Sequence, residues 1–155
     1  MADTHHADKL MESDDMFGFI VMDGEGTLFG TLSGNTRQVL YMYRLFPPKK
    51  HGRGGEPALR FSRAHFLKHI NHGRKTDELA SMLYIDPNTR QPNVCGLILA
   101  GSVEYKTRQL VDIIDPLLKE KIVNVVDVSY GEENGLNQAI ELSSGILSKP
   151  KFAKE

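Results

Sequence analysis

The sequence predicts one α/β domain on a mixed sheet, an antiparallel three-stranded meander followed by parallel strands, with packed helices. Three observations carry that expectation. Apolar residues alternate at period two from Phe17 onwards, and the alternation is broken by glycine turns. Of two later short stretches, one is nearly continuously apolar and the other is rich in β-branched residues, and helical patterns lie between and after them. Between the two halves, an extended basic glycine-rich loop runs into one long helical pattern.

The bulk properties set limits. The 155 residues are 40% hydrophobic and 25% charged, the profile of a single soluble globular domain. Cys95 is the only cysteine, which excludes an internal disulfide and suits a reducing compartment. No apolar run approaches the roughly 18 residues of a membrane span, and no signal-type segment opens the chain, so the expected location is cytoplasmic.

Residues 1–15 are acidic and poor in apolar groups, and are expected to be a disordered leader or the remnant of an inter-domain connection. From Phe17 to Met22 a strand is expected. Asp23-Gly24-Glu25-Gly26 then makes a hairpin turn into a second strand through Thr27, Leu28 and Phe29. The same four residues faintly resemble a calcium loop, but the remaining ligand positions are missing. Ser33-Gly34-Asn35 gives the next reversal. A third strand is expected over 37–46, with Val39, Tyr41 and Tyr43 on one face, and Pro47-Pro48 stops it.

A helix is expected from Pro57 to about Ile85, with Gly73 as a point of weakness. After a turn over 86–92, the run from Asn93 to Ala100 reads as a strand buried on both faces, parallel and in mid-sheet, with Cys95 as a small core residue. A helical stretch from Val103 to Leu110 and a short one from Pro116 follow. The next strand spans Ile122 to Val128, then a turn covers Ser129 to Gly135. The last helix is expected over 136–147, with Leu136, Ala139, Ile140, Ser143 and Leu147 inward.

Charge is distributed unevenly. From Pro47 to Lys75 there are eight Lys/Arg (49, 50, 53, 60, 63, 68, 74 and 75) against the single acid Glu56, while the whole chain carries only −1. Positive charge gathered on one loop and one helix is the footprint of a phosphate-backbone partner. Gly54-Gly55 taken alone is an ordinary flexible turn, and neither the spacing nor a preceding buried strand fits a nucleotide-binding P-loop. His65, His69 and His72 share a helical face at i, i+4 and i+7. That spacing is compatible with a zinc site, but no acid is interleaved to orient the rings, so an extension of the basic face is the preferred reading. Ser62 and His65 also share a face, again with no orienting acid.

The run Lys49-Lys50-His51-Gly52-Arg53-Gly54-Gly55-Glu56-Pro57-Ala58-Leu59-Arg60-Phe61 resembles the glycine-glycine-glutamine loop of the eukaryotic and archaeal class I polypeptide chain release factors. The loop belongs to their middle domain. Lys49 to Gly55 and Ala58 to Phe61 match it, and Glu56 stands where that family has glutamine. Further matches are Phe17 to Val21 with Asp23-Gly24, Leu28 to Leu32 with Gly34 to Arg37, and Leu99 to Ser102. Val126 to Gly131, Glu133 to Gly135 and Asn137 to Ser143 continue the similarity in register, over about 16 to 153.

The resemblance implies translation termination: a middle domain that enters the ribosomal peptidyl transferase centre and promotes hydrolysis of the peptidyl-tRNA ester. It implies that Gly54, Gly55 and Glu56 act at the ester. Lys49, Lys50, His51, Arg53, Arg60, Arg63 and Lys68 would then meet large-subunit rRNA. No cofactor and no metal are implied. The implied partners are the ribosome, peptidyl-tRNA and, through a domain outside these residues, a translational GTPase. On this reading 16–155 is a monomeric fragment of a larger factor and no free-standing enzyme. Glu56 weakens the hydrolytic reading and favours an alternative, a non-hydrolytic ribosome-binding module of the Pelota-like rescue type.

Overall fold

The computed structural model describes residues 16–44, 72–101, 107–129 and 131–148. The expected hairpin forms as β1 (Met16–Asp23) and β2 (Gly26–Ser33), antiparallel, with Phe19 opposite Gly30 and Val21 opposite Leu28. Asp23 closes the turn with its own side chain: Oδ1 accepts from the Glu25 amide at 2.8 Å and the Gly26 amide at 3.0 Å. An Asp holding the amides two and three residues on is a self-supporting turn. Gly26 is required by contact, because a Cβ there would lie 2.0 Å from the Tyr43 carbonyl oxygen.

The second reversal uses Gly34 at φ +62° and leads into β3 (Thr36–Arg44). The meander is therefore as expected, but the facing of β3 is not. Phe29 pairs with Tyr41 while Gly30 pairs with Val39, so Leu40 is an extra residue in a β-bulge. Beyond the bulge the parity inverts. Val39 and Met42 pack on one core, Leu40 and Tyr43 on the other, and Tyr41 is half exposed. Val39 thus does not share a face with Tyr43.

Helix α1 covers 72–84 of the described residues, and the expected stretch 57–71 lies outside them. Its inward side, Leu79, Ala80 and Tyr84, packs on Ile20, Phe29 and Leu99. Tyr84 is fully buried, and its hydroxyl lies 2.9 Å from the Phe19 carbonyl and 2.8 Å from the Gly30 carbonyl, across one rung of the β1–β2 ladder. Burial pushes the phenol far above its ordinary pKa, so it stays a donor. Gly18 makes room for the ring, since a Cβ there would meet Tyr84 Cε1 at 2.9 Å.

The turn after α1 is held by Asp86 Oδ1, which accepts from the Asn88 amide at 2.8 Å, and the Ile85–Pro92 bridge closes it. Strand β4 (Gly96–Gly101) is buried along its whole length and lies parallel between β1 and β5 (Ile122–Asp127), in the sheet order β3-β2-β1-β4-β5. The expected mid-sheet parallel strand is present. Its start is later than expected: Cys95 precedes it and is half-buried, with its amide bonded to the Met16 carbonyl at 2.8 Å. The expected helix from Val103 is α2 (Thr107–Ile113), and 102–106 lie outside the described residues. Pro116 does open a short helix, α3 (Pro116–Lys119), capped by Asp115.

Asp77 of α1 accepts from the Asp115 amide at 2.9 Å and so ties α1 to the start of α3. Partial burial raises the Asp77 carboxyl above its ordinary 3.8, the Asp115 amide pulls it back, and the charges of Asp115 and Glu78 raise it further. A carboxyl raised on folding contributes most below its unfolded pKa and loses that contribution as pH rises through the folded value. Asp77→Asn keeps the acceptor and removes the buried charge. Its stability in urea is therefore expected to exceed the parent's at pH 7, with the gap closing below about pH 3. A parent more stable than the variant at pH 7 would contradict this.

The last helix begins earlier than expected. Helix α4 runs Glu132–Leu142, and α5 (Ser144–Leu147) follows, so Glu132 to Gly135 are helical instead of a turn. Two acids in its first turn suit the positive end of the helix. Leu136, Ala139 and Ser143 are buried as expected, and Ile140 and Leu147 pack at the margin of the same core. Helices α1, α2 and α3 cover one face of the sheet and α4 the other. The alternation of β1 therefore feeds two cores, Ile20 and Met22 on one side, Phe17, Phe19 and Val21 on the other.

Candidate nucleic-acid interface

The residues that the sequence singles out, Lys49, Lys50, His51, Arg53, Gly54, Gly55, Glu56, Arg60, Arg63 and Lys68, all lie outside the described residues. So do His65 and His69. What the structure does describe is the root from which that segment departs and to which it returns. Arg44 ends β3, and His72 is the first described residue of α1. The two ends meet, with the rings of Tyr43 and His72 5.9 Å apart and tilted.

His72 is 1% exposed, which corrects the expectation that it extends a basic face into solvent. Its Nε2 lies 2.6 Å from Thr27 Oγ1, and Thr27 Oγ1 lies 3.0 Å from Thr76 Oγ1. Thr27 and Thr76 are buried as well. A hydroxyl both donates and accepts, so this chain of three is satisfied whichever His72 tautomer is present. Bonding to Thr27 also takes His72 away from the three-histidine zinc reading, and no group of three ligand-type side chains suited to a metal occurs among the described residues.

Sequence reasoning missed Thr27 and Thr76. The available signal was a threonine in an otherwise apolar strand start, opposite an aromatic of the next strand. Next to this cluster, Arg44 pairs with Glu132 of α4 at 2.9 Å, an exposed ion pair that contributes little to stability. Arg74 and Lys75, the described part of the basic stretch, are exposed as expected, and Lys75 makes a loose 3.6 Å pair with Glu78. No described helix is long and apolar enough to cross a membrane.

The family model described as eRF1 domain 2 matches residues 16–149. The chain belongs to this family. Its similarity to named relatives runs along almost its full length. It is 63% identical over 153 residues to the eukaryotic peptide chain release factor subunit 1-1 of Brassica oleracea var. botrytis, covering 98% of this chain and 35% of the relative. To subunit 1 of Dictyostelium discoideum it is 54% identical over 148 residues, covering 95% of this chain and 33% of that one. The chain thus spans about a third of the length of the curated relatives it matches.

Among solved structures, the fold resembles the archaeal translation termination factor aRF1, with a TM-score of 0.69 at 22% identity, covering 91% of this chain and 38% of that one. It also resembles S. cerevisiae Dom34, a translation termination-like factor involved in RNA quality control pathways, with a TM-score of 0.53 at 13% identity, covering 99% and 41%. Both likenesses concern the fold alone. The eRF1 domain 2 family therefore rests on the sequence, and the mixed five-stranded sheet with helices on both faces is its architecture here.

Proposed function

We propose that this chain is the domain of a translation termination factor that enters the peptidyl transferase centre of the ribosome to promote hydrolysis of the peptidyl-tRNA ester, a step that Glu56 at the glutamine position slows. The observation that carries the reading is the run Lys49 to Gly55 within a match over 16–149 to eRF1 domain 2. Residues 16–155 are then the middle domain of a longer factor that works in the cytoplasm. Residues 1–15 are its leader or a piece of the connection before it.

Each residue type suits its task. Water attacks the ester carbonyl, negative charge develops on the carbonyl oxygen, and a fixed backbone N–H aimed there stabilises it. Gly54 and Gly55 let the main chain approach RNA where any Cβ would collide. The N–H of residue 56 is the donor. Lys49, Lys50, His51, Arg53, Arg60, Arg63 and Lys68 neutralise rRNA phosphates around the loop. The partners are large-subunit rRNA, peptidyl-tRNA and, through another domain of the factor, a GTPase. No cofactor enters the reaction.

Glu56 favours a second reading, a non-hydrolytic ribosome-binding module of the rescue type, because its charge opposes the developing oxyanion. Both readings require the basic loop to bind rRNA. In a relative whose matching segment is replaced by this chain, Lys49→Ala, Lys50→Ala and Arg53→Ala together are expected to weaken ribosome binding. The slope of log affinity against log salt should become shallower by about 2 to 3. An unchanged affinity and slope would remove the basis of both.

A further inference from the structure

We infer that His72, Thr27 and Tyr43 form a positioning root for the basic segment, and that the rate of ester hydrolysis depends on it. The inference rests on the functional reading above. The residues between Arg44 and His72 carry every group proposed to touch rRNA or the ester, and both ends of that segment are fastened at one place. Three elements converge there: β2 through Thr27, β3 through Tyr43, and α1 through His72 and Thr76.

The chemistry of the root is directional. A purely apolar contact would hold the two ends together but allow them to rotate and slide, because the hydrophobic effect has no preferred geometry. A hydrogen bond has strict distance and angle requirements, and here the Thr27 hydroxyl is fixed from two sides, at 2.6 Å by His72 and at 3.0 Å by Thr76. All three side chains are buried, so water cannot substitute for a lost partner without opening the core. The ring of His72 is turned by the same contact against Tyr43, one residue before the end of β3. The first described residue of α1 is thereby locked in orientation to the strand that leads into the segment. His72 and Thr27 are positioning residues; neither is assigned a contact with RNA or substrate.

Catalysis by placement is sensitive to small errors, with displacements of about 1 Å costing on the order of a hundredfold. The test uses a relative whose matching segment is this chain with Glu56→Gln. Thr27→Val removes the central hydroxyl at nearly constant volume, and His72→Phe keeps a ring against Tyr43 without the hydrogen bond. Both are expected to lower single-turnover peptide release at saturating factor by about ten- to a hundredfold. The half-saturating concentration should change less than about threefold, because the rRNA contacts are retained.

His72→Gln places an amide near the Nε2 position and is expected to recover most of the rate. Tyr84→Phe controls for a merely structural effect. It deletes a buried hydroxyl about 18 Å along the same helix, and should lower the melting temperature without lowering the saturating rate. Three results overturn the inference: parental rates from Thr27→Val and His72→Phe, a loss in both that matches their loss of folded protein, or no rescue by His72→Gln. Release from no form of the factor, the parent included, overturns the functional reading itself and the inference with it. If Thr27→Val fails to fold, the pair His72→Phe and His72→Gln decides the question alone.

Discussion

Gly26→Ala is expected to destabilise the domain by about 3 kcal/mol. The new Cβ would stand 2.0 Å from the Tyr43 carbonyl oxygen and 2.9 Å from the Arg44 Cα. Both are backbone atoms of the neighbouring strand, so no rotamer change relieves the clash. Either β3 separates from β2 at its end, giving up ladder hydrogen bonds worth about 1 kcal/mol each, or the Asp23 turn opens. Gly34→Ala is the internal comparison. It has φ +62° but nothing within 4 Å of its Cβ position, so only the left-handed backbone is penalised, at about 1 kcal/mol. Urea unfolding of the two variants checks the difference. A Gly26→Ala protein as stable as Gly34→Ala would mean that the β2–β3 pairing seen at Tyr43 is wrong.

Glu56→Gln is expected to raise peptide release by at least about a hundredfold. Glutamate and glutamine have nearly the same shape, so the backbone N–H at position 56 is present in both. They differ in charge and in donor capacity. A carboxylate beside a developing oxyanion, with rRNA phosphates around it, adds repulsion that a low local dielectric magnifies. It also lacks the amide hydrogens that the family's glutamine carries. Ribosome binding should be retained in both forms, because seven basic or histidine side chains are assigned to the RNA contact and position 56 is not among them.

The fold was largely legible because its strongest signals are local. Alternation in β1, an unbroken apolar β4 and the Asp23 and Gly34 turns each follow from a few adjacent residues. The bulge at Leu40 was not, since an extra residue in a strand leaves no mark in a pattern that remains apolar on both sides of it. The start of α4 was hidden by Gly131 and Gly135, which read as turn residues, while Glu132 and Glu133 supplied the opposing signal of acids at a helix start. Gly131 has a tertiary reason to be there: a Cβ would fall 1.5 Å from Asp23 Oδ2.

The candidate site divides in the same way. Its proposed chemistry rests on the loop, where residue types and order identify the basic, glycine-rich run without any structure. Its anchoring is not. His72 shares a helical face with His65 and His69 in the sequence, and only the arrival of Thr27, 45 residues earlier, turns it into a buried structural group. A histidine satisfied by a distant hydroxyl cannot be told from a solvated one by periodicity alone.

The most direct measurement is peptide release from ribosomes halted at a stop codon, by a factor carrying this chain between a codon-reading and a GTPase-binding domain. Glu56 and Glu56→Gln forms are compared at equal ribosome occupancy. Rapid release by the glutamine form and little or none by the glutamate form is the predicted result. Equal release by both would place the chemistry on the backbone donor alone. Release by neither, with occupancy intact, would contradict the hydrolytic account and leave the rescue-type reading in its place.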